Sequence, residues 1–232
     1  MNLNRDFHCH LLPKMDDGAQ SCFESQKILE ELKQQGIHKV LATPHFYSHR
    51  ETIEIFLSRR QEAVCRLQEI GLPVLPIILG AEIHLERGLS ELENLRLLAW
   101  GTRNYLLLEL PYGGFKEWMV EEIYNITFRM KITPVIAHLD RYLSWYKEDE
   151  IQEVLEIQDA IIQLNNEALF IRKTLKFCLK LIQTNYPVIF GSDTHNLQDR
   201  KPNFEQACSI LHAKLKKSDF QRLYDFSSSL IN

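Results

Sequence analysis

Seven short apolar runs, each followed by an amphipathic stretch, recur along this chain, and that alternation constrains its fold more than any other feature. The expected strands occupy residues 5–11, 38–45, 74–83, 105–110, 133–138, 160–165 and 187–192. The expected helices occupy residues 21–35, 50–70, 89–100, 116–131, 148–158, 170–185 and 202–215. Strand and helix patterns in alternation favour parallel βαβ units over segregated helical and sheet regions. The first helix has Ser21 as its N-cap, Glu24 completing a capping box and Gly36 as its stop. In the second, Ile53, Phe56, Leu57, Val64 and Leu67 fall near helical spacing, and Gly71-Leu72-Pro73 ends the pattern. The serine-rich stretch Ser227 to Ser229 reads as a frayed tail. Parallel strands joined by crossovers of one hand form either a closed barrel or an open doubly wound sheet. No GxGxxG turn or Walker loop is present, which shifts the balance modestly toward the barrel.

A chain of 232 residues can bury one sizeable core, so a single domain spanning residues 1–232 is expected. With 45% hydrophobic and 25% charged residues, the composition argues against a disordered or fibrous chain. The apolar stretches at 73–81 and 105–110 fall short of the roughly 18 residues that a membrane helix needs. The first residues lack the basic start, apolar run and cleavage site of a signal peptide, so the expected location is the cytoplasm, without membrane insertion. Five widely spread cysteines, Cys9, Cys22, Cys65, Cys178 and Cys208, contain no C-x-x-C pair and suggest reduced thiols. A net charge of −4 gives no general reason to bind nucleic acid.

Metal-type side chains recur where the expected strands end. His8 and His10 follow the first, His45 the second and Glu82 the third. Glu109 closes the fourth, His138 the fifth, Asp193 and His195 the seventh, and Asp17 lies in the loop after the first. Ligands of parallel α/β folds bind at the carboxyl ends of strands, so these nine residues are expected to converge. Residues i and i+2 of a strand share a side, so His8 and His10 can approach one ion while Cys9 points away. Imidazole and carboxylate without thiolate suit zinc, manganese or iron. Alone, any one of these histidines reads as an ordinary core or surface residue; placement on several strand ends gives them joint meaning. His38, His49, His84 and His212 lack that placement and are expected to be structural or surface residues, with His49 and His84 the first candidates for exceptions.

These residues resemble the polymerase and histidinol phosphatase (PHP) superfamily through Asp6-Phe7-His8-Cys9-His10, Thr43-Pro44-His45 and Gly191-Ser192-Asp193-Thr194-His195-Asn196. Further segments are similar to the capsular-polysaccharide protein-tyrosine phosphatases of bacteria, the CpsB/YwqE-like branch. They are Leu12-Pro13-Lys14-Met15-Asp16-Asp17-Gly18, Gly80-Ala81-Glu82, Leu108-Glu109-Leu110-Pro111 and Ala137-His138-Leu139-Asp140-Arg141-Tyr142. The resemblance runs from Asp6 to about Arg200 and implies a distorted seven-stranded (β/α) barrel of TIM-like form. It implies three divalent ions, manganese before iron or zinc, held by His8, His10, Asp17, His45, Glu82, Glu109, His138, Asp193 and His195, with Glu82 as a bridge. It also implies phosphate-binding arginines, which map onto Arg141 and Arg200, whose guanidinium forks match phosphate geometry.

Three divalent ions would outweigh the four carboxylates by about two charges, favouring a phosphate dianion. The implied reaction is phosphomonoester hydrolysis by a water that the metal acidifies. No cysteine is followed six positions later by arginine, so a thiolate tyrosine-phosphatase loop is not suggested. The implied partner is a phosphotyrosine protein, a bacterial tyrosine kinase governing capsular or exopolysaccharide synthesis. A small-molecule phosphatase, such as one acting on histidinol phosphate, is the nearest alternative, and a non-catalytic metal-stabilised docking module is a third. Phe46, Tyr47, Tyr112, Phe115 and Trp145 either line the approach to the site or pack beneath it.

Overall fold

The computed structural model describes residues 2–71 and 73–231. Its strand segments are β1 (Arg5–Cys9), β2 (Lys39–Ala42), β3 (His45–Phe46), β4 (Ile77–Leu79), β5 (Glu82–His84), β6 (Tyr105–Glu109), β7 (Thr133–Ile136), β8 (Ile161–Asn165) and β9 (Val188–Gly191). All ladders are parallel, in the orders β1-β2-β4 and β3-β5-β6-β7-β8-β9.

Two expected strands are therefore interrupted. The run at 38–45 divides into β2 and β3 around Pro44, which has no N–H to give to a ladder. The run at 74–83 starts later and divides into β4 and β5 at Gly80 and Ala81. Hydrogen bonds from Gly80 N to Ala42 O (2.9 Å) and from Glu82 N to Pro44 O (3.0 Å) carry the pairing across both breaks. The nine segments thus act as seven staves. Between β1 and β9 there is no ladder, only an isolated Cys9–Thr194 bridge. Bonds from Asp193 N to His8 O (2.7 Å) and His10 N to Thr194 O (2.9 Å) support it. The result is a distorted barrel whose sheet is interrupted.

Every stave sends at least one apolar side chain into a common inner cluster, among them Phe7, Leu41, Ile78, Leu107, Val135, Ile161 and Ile189. This cluster fills the barrel as a packed core. Glu109 stands two residues beyond Leu107 on β6, so the polar site sits directly above the plug.

The helices are α1 (Cys22–Gln34), α2 (Ile53–Glu69), α3 (Glu117–Met130), α4 (Leu139–Tyr142), α5 (Glu148–Leu155), α6 (Arg172–Gln183), α7 (Phe204–Lys214) and α8 (Lys217–Leu230). Ser21 caps α1 by accepting from Glu24 N, but the Glu24 carboxylate reaches Gln20 N instead of completing the box on Ser21. Thr52 caps α2, which begins at Ile53. Leu72, in the expected stop of that helix, lies outside the described residues.

Two expectations fail for identifiable reasons. Residues 89–100 form 3₁₀ turns at Leu89–Glu91 and Leu95–Leu98 instead of an α-helix. The leucines at 89, 92, 95 and 98 recur every third residue, matching the three-residue turn of a 3₁₀-helix. Ser227 to Ser229 belong to α8, where Phe220, Leu223, Ser227 and Leu230 are buried at helical spacing. Serine's modest helix propensity conceals a helix that packing stabilises.

Candidate metal centre

At the carboxyl ends of the staves the nine candidate ligands converge. The His8 and His10 Nε2 atoms lie 3.1 Å apart, and both face Glu82 Oε2, at 3.1 and 3.2 Å. His45 Nδ1 is 3.1 Å from the same oxygen, and His138 Nε2 is 2.8 Å from the other. Four imidazoles thus surround one carboxylate. Asp193 Oδ1 lies 3.6 Å from both His8 and His10, and Glu109 Oε1 lies 3.6 Å from His138. Asp17, carried by the loop after β1, places Oδ1 3.3 Å from His195 and 3.6 Å from His45. Three sets of donor atoms each fall within 4.8 Å: His10, Asp17, His45 and His195; His8, His10 and Glu82; His45, Glu82 and Glu109. His138 and Asp193 stand outside these three sets, and adjoin them through Glu82, Glu109, His8 and His10.

Neighbouring groups aim the rings. Asp16 accepts from His10 Nδ1 at 2.7 Å and also from His45 N (2.9 Å) and Gly18 N (2.9 Å). Gln163 Oε1 lies 3.0 Å from His8 Nδ1 and accepts from His138 N at 2.7 Å. Both histidines therefore present Nε2 to the centre, the arrangement in which an outer carboxylate or amide sets the tautomer of a metal-binding imidazole. His195 Nδ1 faces the Asp193 carbonyl at 3.0 Å, leaving Nε2 inward. Nothing in the ladder pattern singles out Gln163 and Asn165. They occupy β8, the one stave without a candidate ligand, and Asn165 Nδ2 donates to Asp193 at 3.0 Å. Asp16 is half visible in the sequence as the neighbour of Asp17. Asp6, buried below the site, accepts from Ser192 N (2.9 Å) and the Ser192 hydroxyl (2.5 Å), tying β1 to β9.

The charge arrangement suits a cation. Burial alone would push the His10 pKa down, yet the Asp16 and Glu82 carboxylates hold it well above the usual histidine value. Burial is likewise outweighed at His138, where Glu109 and Glu82 raise the pKa to about 9. Burial is overcome at Glu82 by His8, His45, His10 and His138, which hold it well below the carboxylate range, and at Glu109 by His138 and His84, which hold it near 2. His45 Nδ1 and His195 Nε2 face the carboxylates of Glu82 and Asp17 but are buried without an aligned hydrogen bond. Buried polar atoms are seldom left so, and a donor set of imidazoles and carboxylates fits divalent cations. Two of the nine adopt left-handed backbone, His138 at φ 31° and Asp193 at φ 52°, a strain of about 1–3 kcal/mol each that is typical of functional positions.

Arg141 and Arg200 both sit on Asp193. Arg141 Nη2 pairs with Oδ2, and Arg200 Nη2 lies 2.9 Å from Oδ1, with its Nη1 3.7 Å from Asp17. Each side chain remains about a third exposed (32%), so both forks line the mouth. Among the other histidines, His84 Nδ1 lies 3.2 Å from Glu109 Oε2, joining the edge of the site. His49 pairs with Glu86, His212 stacks on Phe220 at 4.2 Å, and His38 is exposed. Cys9 is buried in the helix-facing core, away from the ligands.

The family model describing CpsB/CapC proteins of capsular polysaccharide synthesis matches residues 4–231. The chain belongs to the CpsB/CapC family. Among its relatives, this CpsB/CapC chain is 29% identical over 216 residues to tyrosine-protein phosphatase YwqE of Bacillus subtilis, covering 89% of this chain and 83% of the relative. It is 27% identical to tyrosine-protein phosphatase CpsB of Streptococcus pneumoniae, covering 94% of each. A solved structure from work on YwqE and CpsB, described as unique metal-dependent tyrosine phosphatases, superposes with a TM-score of 0.78 at 23% identity, covering 97% of this chain and 93% of that one. An organophosphorus hydrolase variant from Deinococcus radiodurans shares the fold at a TM-score of 0.58 and 12% identity, covering 99% of this chain and 92% of that one. Both structural likenesses agree with the barrel that the CpsB/CapC staves outline.

Proposed function

We propose that this CpsB/CapC chain is, as a single domain, a metal-dependent protein-tyrosine phosphatase. Its substrate is a phosphotyrosine protein, a bacterial tyrosine kinase of capsular or exopolysaccharide synthesis, in the cytoplasm. The observation that carries the reading is Glu82 surrounded by four imidazoles beneath two arginines that line one opening. The relatives named as tyrosine-protein phosphatases supply the substrate class.

His8, His10, Asp17, His45, Glu82, Glu109, His138, Asp193 and His195 would hold three divalent ions, manganese before iron or zinc. Bound there, the ions supply Lewis acidity, acidifying a water and neutralising phosphoryl charge. Asp16 and Gln163 keep the rings of His10 and His8 in one tautomer, so the donor atoms are placed before substrate arrives. Arg141 and Arg200 carry forks suited to the phosphate oxygens; both pair with Asp193 here, and that carboxylate would compete with phosphate for them until a cation matched its charge. A tyrosinate leaving group, with a free pKa of about 10, departs with less protonic help than an alkoxide. Among the described residues no thiol faces the ligands: Cys9 and Cys178 are buried, and burial raises both well above the ordinary thiol range.

The test strips metal from purified protein and restores manganese, iron or zinc separately, with metal content measured alongside turnover of a phosphotyrosine peptide and of histidinol phosphate. Phosphotyrosine hydrolysis restored by metal is expected. Preference for histidinol phosphate would reassign the protein to small-molecule chemistry, and stoichiometric metal without turnover would make it a docking module.

A further inference from the structure

The five aromatic residues near the mouth separate into two groups. Phe46 is fully buried and meets Phe56 edge-on, and Phe115 packs against Tyr146. Tyr47 is half-buried under the Arg50 guanidinium, 4.2 Å from its ring centre. Tyr112 and Trp145 instead remain 48% and 49% exposed, although their rings meet edge to face at 4.6 Å. Two large rings that touch each other and still face solvent are not accounted for by core packing.

Their position is built. The Tyr112 hydroxyl donates to Glu109 Oε1 at 2.6 Å, which sets the ring at the edge of the ligand cluster. The loop that carries it is pinned from below: the Tyr142 hydroxyl donates to Leu110 O at 2.7 Å and the Tyr146 hydroxyl to Pro111 O at 3.0 Å. Trp145 follows α4, the short helix that presents Arg141, and rests against the buried Tyr142 ring at 6.2 Å. One wall of the mouth therefore offers, in order outward from the ligands, a carboxylate, a phenol and an indole, with the phosphate-suited Arg141 guanidinium on the short helix just before Trp145.

The geometry points to Trp145, supported by Tyr112, as the element that selects aryl over alkyl phosphate esters by seating the ring of the ester against its exposed face. The inference rests on the phosphatase reading above. Tyr112 bonds to Glu109 and Trp145 follows Arg141 by four residues, so an aryl ring whose phosphate is held at Arg141 has this wall beside it. Pre-placed rings accept another ring in stacked or edge-on contact with little loss of freedom. Alkyl esters gain nothing comparable.

The experiment compares wild type, Trp145→Ala and Trp145→Phe, loaded with metal and matched in metal content and melting behaviour. The first readout is the ratio of kcat/KM for a phosphotyrosine peptide to that for a phosphoserine peptide of the same sequence. The second is competitive inhibition by phenylphosphonate relative to methylphosphonate, which requires binding but no turnover of the inhibitor. In Trp145→Ala both ratios are expected to fall about tenfold, through KM and Ki rather than kcat, with Trp145→Phe recovering most of the loss. Unchanged ratios in Trp145→Ala would overturn the inference while leaving the phosphatase assignment intact. Should wild type hydrolyse neither peptide, the phosphatase reading fails. Direct binding of the two phosphonates, followed by calorimetry, then decides the wall: equal affinity of wild type and Trp145→Ala for phenylphosphonate overturns it too.

Discussion

Replacing Asp16 tests whether the outer carboxylate, and not only the nine inward donors, makes this centre. Asp16 accepts three hydrogen bonds, from the His10 ring at 2.7 Å and from the backbone of His45 and Gly18 at 2.9 Å each. It therefore orients one candidate ligand by its ring and a second by its main chain. Asp16→Ala leaves those donors without their partner, and hydrogen bonds to charged groups are worth about 1.5–3 kcal/mol each before relaxation and water recover part of the loss. A net destabilisation of about 2–3 kcal/mol is expected. Loss of such an outer partner costs about 10–100-fold in metal affinity or activity. Asp16→Asn keeps an oxygen for the backbone donors but removes the charge that makes the His10 ring a stronger donor to metal. It should recover most of the stability and little of the metal affinity. The assay is competition against a fluorescent chelator, with thermal melting of the ion-free proteins and kcat/KM on a phosphotyrosine peptide in parallel. Wild-type metal affinity and turnover in Asp16→Ala would refute the reasoning, because His10 would then hold its orientation without help.

Four further outcomes follow from the same geometry. Chelation should lower the melting temperature, since the carboxylates of Asp17, Glu82, Glu109 and Asp193 lose their counter-charge; an unchanged melt after verified metal removal would count against the cluster. Metal binding should release protons near pH 7, because His138, raised to about 9, is charged in the ion-free protein and must be neutral to ligate. Affinity should then rise with pH up to about 9 and level off, with calorimetry in two buffers of different ionisation enthalpy counting the protons. Thiol alkylation of the folded protein should leave turnover near wild type, as exposed Cys65 belongs to α2 and half-buried Cys22 to α1, neither to the site; inactivation with metal retained would demand another mechanism. Gly191→Ala should destabilise the fold by about 1–3 kcal/mol and impair turnover, because its new methyl would lie 2.5 Å from His8 Cβ and 2.9 Å from His8 N; melting and kinetics together check it.

Much of the scaffold could be read from local pattern. Apolar runs of strand length alternating with helical stripes dictated seven parallel staves, and the recurrence of His, Asp and Glu at their carboxyl ends dictated where chemistry would collect. What pattern could not supply were the exceptions imposed by neighbours. Pro44 divides a stave, but the hydrogen bonds of Gly80 and Glu82 keep its halves together. The leucines at 89, 92, 95 and 98 follow a three-residue period that resembles a helix stripe until the turns are seen. The serine-rich end forms a helix because Phe220, Leu223 and Leu230 find a surface to cover.

The same division holds at the site. The residue types of the nine candidate ligands, and the side of the strand that His8 and His10 share, follow from spacing of two along an extended chain. The roles of Asp16, Gln163 and Asn165, the seating of Arg141 and Arg200 on Asp193, and the exposure of Trp145 beside Tyr112 were decided only by the folded chain. Hydrogen bonding and burial depend on atoms brought together from distant positions, as Gln163 meets His8 across 155 residues, and no local period records which atoms those will be.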